Sequence, residues 1–114
     1  MSDDKPDLLT AEGVEEIFAT DDRATVDVYI PEWKKTVRLR QLTAAESVKM
    51  AEVPVNDGLL HIVSMSIVDA SGNRLFKDHD RLRGRSAAAL SRIQDEALKL
   101  NGLTGKVATA VKNG

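Results

Sequence analysis

The chain has 114 residues and a mass of 12.4 kDa, enough for one domain and too little for a multidomain enzyme. With 42% apolar residues, 30% charged residues and no cysteine, it is neither collagenous nor wholly disordered, and a disulfide scaffold, a thiolate zinc site and a cysteine nucleophile are excluded. The net charge of −2 conceals an asymmetry, since residues 1–22 hold eight acids against Lys5, a balance of −7 that leaves +5 for the remainder.

Residues 1–9 combine a proline with several charges and read as a flexible acidic leader. Thr10 is placed to cap a short helix running through Phe18, in which Val14, Ile17 and Phe18 fall at the i, i+3, i+4 spacing of a single apolar stripe. Residues 24–40 change period. Val26, Val28 and Ile30 alternate with Thr25, Asp27 and Tyr29, and Val37 and Leu39 alternate with Thr36, Arg38 and Arg40, which predicts two strands. Pro31 opens the segment between them and cannot donate a ladder hydrogen bond, so the chain turns there into an antiparallel hairpin.

Thr43-Ala44-Ala45-Glu46 matches a capping box and predicts a helix to about Glu52, stopped by Pro54. Asn56-Asp57-Gly58 is a turn whose Asp57 can cap the next helix, Gly58 to Val68. Apolar side chains surround that helix on all sides, so it should be the buried centre. Asp69 to Asn73 is a turn signal, and Arg74-Leu75-Phe76 is a short extended piece able to pair with the hairpin edge. Asp78 or Asp80 starts a helical turn containing Leu82. Ser86 caps a helix from Ala87 to Asn101, ended by Gly102, with Leu90, Ile93, Ala97 and Leu100 on one stripe. Residues 103–114 read as a flexible basic tail with Leu103, Val107 and Val111 as its few apolar anchors. The predicted fold is therefore α+β: a mainly helical compact domain over 10–102, one antiparallel hairpin at about 24–40, and a third extended segment near 74–76.

Chemistry is sparse. Leu59 to Val68 is half the length of a bilayer crossing, and the N-terminus lacks the basic start and apolar run of a secretory signal, so a cytoplasmic protein is expected. The cluster Arg74, Lys77, Arg81, Arg83, Arg85 and Arg92 is interleaved with Asp78, Asp80 and Asp95 and reads as a solvated face rather than a nucleic-acid surface. Asp69, Ser71, Asn73 and Asp80 occupy positions one, three, five and twelve of a calcium loop. However, Gly72 stands at position four instead of six and Lys77 at position nine, and a plain turn explains the same residues. His61 and His79 have no partners for a transition-metal set. No nucleophile elbow, phosphate loop or dinucleotide glycine pattern occurs, and the paired acids Glu15-Glu16 and Asp21-Asp22 lie in the acidic end where nothing desolvates them. The sequence thus predicts neither an enzyme nor a cofactor, but a binding surface. Trp33, beside Pro31 at the hairpin tip, is its first candidate; the alternative, that the ring folds back onto a helix, stays open.

The order of these motifs carries a resemblance. An acidic N-terminal helix precedes Val28-Tyr29-Ile30-Pro31-Glu32-Trp33 and then Val37-Arg38-Leu39-Arg40-Gln41-Leu42-Thr43. Ser66-Ile67-Val68-Asp69-Ala70-Ser71-Gly72-Asn73-Arg74-Leu75-Phe76 follows, with an Asp-rich turn and an Ala-rich helix after it. Over roughly residues 10–102 this arrangement resembles the tail assembly chaperones of long-tailed, siphovirus-type bacteriophages and prophages. The resemblance implies a noncatalytic protein of the host cytoplasm, absent from the mature virion, that binds the tape-measure protein and keeps it soluble while the tail tube assembles. The tail-tube protein and a second copy of the chain are further candidate partners. The residues expected to contact a partner are Trp33 and the tail anchors Leu103, Val107 and Val111. Members of the family are often made in two forms through a ribosomal frameshift, and Val111-Lys112-Asn113 is encodable by the slippery GTA-AAA-AAC; a gene reading GTG-AAG-AAT would exclude that. Two other readings compete: a structural phage tail or connector component, and a bacterial adaptor or regulator binding an acidic partner through the Arg74 to Arg92 surface.

Overall fold

A computed structural model of the chain describes residues 8–103. Its elements are helix α1 (Gly13–Ala19), strands β1 (Thr25–Ile30) and β2 (Lys35–Arg40), helices α2 (Ala44–Met50) and α3 (Gly58–Ser66), strand β3 (Ile67–Val68) and helix α4 (Ala87–Leu100), with 3-10 turns at Val55–Asp57 and His79–Leu82. The fold is α+β, with an antiparallel sheet ordered β1-β2-β3.

The period-two pattern does what it predicts. Val26 pairs with Leu39 and Val28 with Val37 across the hairpin, so the apolar side chains of both strands share one face and pack with Ile30 into the core. Thr25, Asp27 and Tyr29 are left on the solvent face, where Asp27 accepts from Arg38 Nε at 2.8 Å. At the tip Trp33 N donates to Ile30 O at 3.1 Å. Lys34 closes the turn at φ 53°, a left-handed conformation that costs a lysine about 1 kcal/mol.

Helix α3 is the buried centre. Leu60, Ile62, Val63 and Met65 are all buried, as are Ser64 and Ser66, which fits a helix enclosed by other elements rather than one with a wet face. Helix α4 lies against α3 and the hairpin, with Ala89, Leu90, Ile93 and Ala97 inward and Ser86 Oγ capping Ala89 N at 3.2 Å. The capping box before α2 is also formed: Thr43 Oγ1 accepts from Glu46 N at 3.1 Å, and Glu46 Oε1 accepts from Thr43 N at 2.9 Å.

Several local expectations are corrected. The third strand is Ile67–Val68, which pairs with Leu39 and Arg38 of β2; helix α3 stops at Ser66, two residues early, because the β-branched pair Ile67-Val68 takes the hairpin edge. Arg74 pairs with Val68 instead of the hairpin, since the Asp69–Asn73 turn folds it back. Asp69 Oδ1 accepts from Ser71 N at 2.8 Å and Asn73 N at 2.9 Å, which also accounts for the residues that mimic a calcium loop. Helix α1 starts at Gly13 rather than after Thr10; Thr10 Oγ1 instead accepts from Gly13 N at 3.2 Å within the preceding turn. Asp57 makes no side-chain cap for α3; its carboxylate accepts from Arg83 Nη2 at 2.9 Å.

Candidate functional site

Helix α4 runs the length of the hairpin. Near its start Arg92 Nη2 donates to Glu32 at the hairpin tip at 2.9 Å, an ion pair that holds the Glu32 carboxyl below the usual carboxylate range. At its far end Gln41, at the hairpin base, donates through Nε2 to Leu100 O at 2.7 Å and accepts from Ala24 N at 2.8 Å through Oε1. Asn101 mirrors it, accepting from Leu42 N at 2.9 Å and donating to Ala97 O at 2.7 Å. These two amides stitch β1, β2, the entry to α2 and the end of α4 together; Gln41 pairs Ala24 N and Leu100 O and Asn101 pairs Leu42 N, backbone groups at element boundaries, while Ala97 O also accepts from Asn101 N.

The linker from α1 is pinned at the same base. Asp21 accepts from Arg23 Nε at 3.0 Å and Nη2 at 2.9 Å, and from Arg40 Nη1 at 3.4 Å. The hydrogen bonds from Arg23 are the main reason its carboxyl is held at about 2. Arg40 Nη2 also donates to Gly72 O, so one guanidinium joins the linker, β2 and the turn after β3. Gly72 adopts φ 90°, and a Cβ there would stand 2.6 Å from Arg40 Nη1, which is why a glycine occupies the approach.

Between α1, the start of α2 and the end of α4 this stitching leaves an open groove of about 670 Å³, with Ile17, Phe18, Leu42 and Leu103 as apolar walls and Gln41 and Ser47 among its polar ones. Phe18 is 78% and Ile17 51% exposed. Leu103 is half-buried, and its N–H donates to Leu98 O at 2.9 Å.

The hairpin tip forms a second concavity of about 350 Å³. Trp33, Phe76 and Leu82 make its apolar surface and Arg81 and Arg85 its rim. Trp33 is half-buried and packs against the core together with Phe76, so both readings of the ring hold in part: it folds back, and one side stays open.

Of the residues singled out from sequence, Trp33 therefore sits at the tip and Leu103 at the base, on separate surfaces at opposite ends of α4. Val107 and Val111 lie outside the described residues. Ile17, Phe18, Arg81 and Arg85 were not among them. The stripe of α1 was legible, but its want of a partner within the fold was not, and the arginines were indistinguishable from a solvated face. His61 and His79 stack edge to face at 5.5 Å. Both ring nitrogens of His61 are buried without a hydrogen-bond partner, and burial, followed by the charges of His79, Arg74 and Lys49, pushes its pKa down. Among the described residues no group of three His, Cys, Asp or Glu is placed to hold a metal ion, and no helix is long and apolar enough to cross a membrane.

No family model matches the chain, and no curated protein matches it in sequence. Among solved structures, that of the bacteriophage HK97 tail assembly chaperone is similar, with a TM-score of 0.59 and 19% identity over 80% of this chain and 95% of that one. The likeness is one of fold, and it spans nearly the whole of the HK97 protein.

Proposed function

We propose that the chain is a noncatalytic tail assembly chaperone of a long-tailed phage or prophage, which binds the tape-measure protein in the host cytoplasm and is left out of the finished virion. The observation that carries this reading is the fold shared with the HK97 tail assembly chaperone, reached independently of the motif order in the sequence. The groove at the hairpin base supplies the chemistry such a task needs. A tape-measure protein is a long helix with an apolar stripe, and a groove walled by Ile17, Leu42 and Leu103 offers that stripe cover without a deep pocket. Its shallow shape, with Ile17 half exposed, suits a complex that must come apart when tube subunits take over the helix. Sites for catalysis play no part in this account.

Co-expression with the tape-measure protein encoded beside this gene tests the reading. The expected result is a larger soluble fraction of tape-measure protein and co-elution of the two on gel filtration. Equal insolubility with and without this chain, and no complex, would return the structural-component and adaptor readings to the front.

A further inference from the structure

The way α4 ends delivers Leu103 into the groove at the hairpin base. Gly102 takes φ 71°, its N–H donates to Lys99 O at 3.0 Å, and Leu103 N donates to Leu98 O at 2.9 Å. This pair of bonds is a Schellman stop, which turns the chain at a left-handed glycine and satisfies the last carbonyls of the helix. The turn fixes where the following chain starts: Leu103 is half-buried and lines the groove with Ile17, Phe18 and Leu42. The opposite wall lacks cover. No residue of α1 is buried, and Phe18 and Ile17 form an exposed stripe with the half-buried Val14. The charged residues of the lining are Asp21, Asp22 and Arg23. Asp21 and Arg23 pair with each other, and Asp22 has no basic partner among the described residues. Neither has Glu15, which stands about 60° around α1 from Phe18, on the flank of the stripe.

Apolar walls with such carboxylates beside them fit an apolar segment that carries cations, and the residues directly after Leu103 have that composition. Residues 104–112 hold Lys106 and Lys112, no acid, and Val107 and Val111 as their large apolar side chains. Leu103, Val107 and Val111 recur every four residues, which puts them on one side of a helix and of an extended chain alike. Val107 is four residues from Leu103, a reach of at most about 14 Å. Because the segment is tethered at the groove, its effective concentration there is of roughly millimolar order, an advantage over any free segment of the same chemistry.

We propose that residues 104–112 fold back over the groove of their own molecule, with Val107 and Val111 against Ile17 and Phe18, and Lys106 and Lys112 toward Asp22 and Glu15. The segment is then an internal cover for the apolar wall of α1, and a partner that uses the groove has to displace it. The docking does not rest on the chaperone reading, and its test contains no tape-measure protein, so either can fail without the other.

The chain has no cysteine, so Asn113→Cys carries a single nitroxide in the full-length protein, beyond both valines. The amide NMR signals of Ile17, Phe18 and Ser47 should broaden relative to the reduced label, while those of Trp33 and Lys34 at the hairpin tip should not. The broadening should vanish when the label and the isotope are on different molecules, because the contact is within one chain. Adding Val107→Asp/Val111→Asp to the labelled chain keeps the tether and removes the anchors; the groove signals should recover most of their intensity, and amide hydrogen exchange across α1 should quicken by about tenfold, with the thermal melt of the domain retained. Lys106→Glu/Lys112→Glu should weaken the broadening in the same direction, as high salt should. Groove signals that the label leaves untouched overturn the proposal, as does broadening that survives the aspartate variant or that appears between molecules.

Discussion

Replacing Gln41 by alanine removes two hydrogen bonds that join the hairpin base to α4, from Ala24 N at 2.8 Å and to Leu100 O at 2.7 Å. Both backbone groups lie at element boundaries where no ladder or helix partner can substitute, and the bond to Leu100 O is partly buried. At about 0.5–1.5 kcal/mol for each bond, more where the orphaned group is kept from water, Gln41→Ala should cost about 2 kcal/mol. In a domain of this size that is a fall in Tm of about 10 °C. Gln41→Glu refines the test. Its carboxylate still accepts from Ala24 N but turns a second acceptor toward Leu100 O, so at pH 7 it should be at least as unstable as the alanine variant. Protonation near the ordinary carboxyl pKa of about 4.3 supplies a donor again, and the deficit relative to wild type should shrink as pH falls through that value. Urea melts of the three proteins at pH 7 and pH 4 measure this. A Gln41→Ala chain as stable as wild type, or a Gln41→Glu deficit that ignores pH, would refute the stitching of the base.

Gly72→Ala should destabilise more than Gly102→Ala in parallel thermal melts, since both adopt positive φ but only Gly72 brings a new Cβ within 2.6 Å of Arg40; about 2 kcal/mol against about 1 is expected, with equal losses arguing against the contact. Ile93→Ala, which empties a fully buried position between α4 and the core, should cost about 2–5 kcal/mol by chemical denaturation. The half-buried His61, its ring nitrogens shut off from water, has its pKa lowered by desolvation, so below about pH 6.5 the unfolded chain takes up a proton that the folded one resists, and stability falls as pH falls. His61→Leu should flatten that slope; an unchanged slope would place the titration elsewhere. Asp21 has the same sign at lower pH: with its folded value at about 2 against 3.8 unfolded, its contribution is complete above about pH 4 and is lost as pH falls toward 2. Asp21→Asn should remove that part of the acid transition.

The architecture was largely legible because each element announces itself locally. Alternation gave the hairpin, the Thr43–Glu46 box gave the start of α2, and the Leu90 stripe gave α4. The boundary of α3 was not legible, because Ile67 and Val68 continue an apolar run that serves a helix and a buried strand equally well, and only the open edge of β2 decides between them. Asp57 illustrates the same limit: its position suits a cap, but Arg83, 26 residues on, competes for the carboxylate. The surfaces were half legible. Trp33 and Leu103 could be named from their exposed settings in the sequence, whereas the groove and the tip pocket are made by residues brought together from α1, the link from β2 into α2, the residues just after α4, the hairpin turn and the 79–82 turn. Polar lacing by Gln41 and Asn101 leaves no periodic trace at all, since an amide side chain at an element boundary looks like any other surface residue.

The central claim is that the groove at the hairpin base covers an apolar helical stripe of the tape-measure protein, and charge placed in the groove tests it most directly. Ile17→Asp and Leu103→Asp should be compared with wild type for solubilising co-expressed tape-measure protein, after circular dichroism melts show that each variant keeps its fold. The account predicts that both variants lose most of the rescue while remaining folded. Full rescue by folded variants with a charged groove would contradict it.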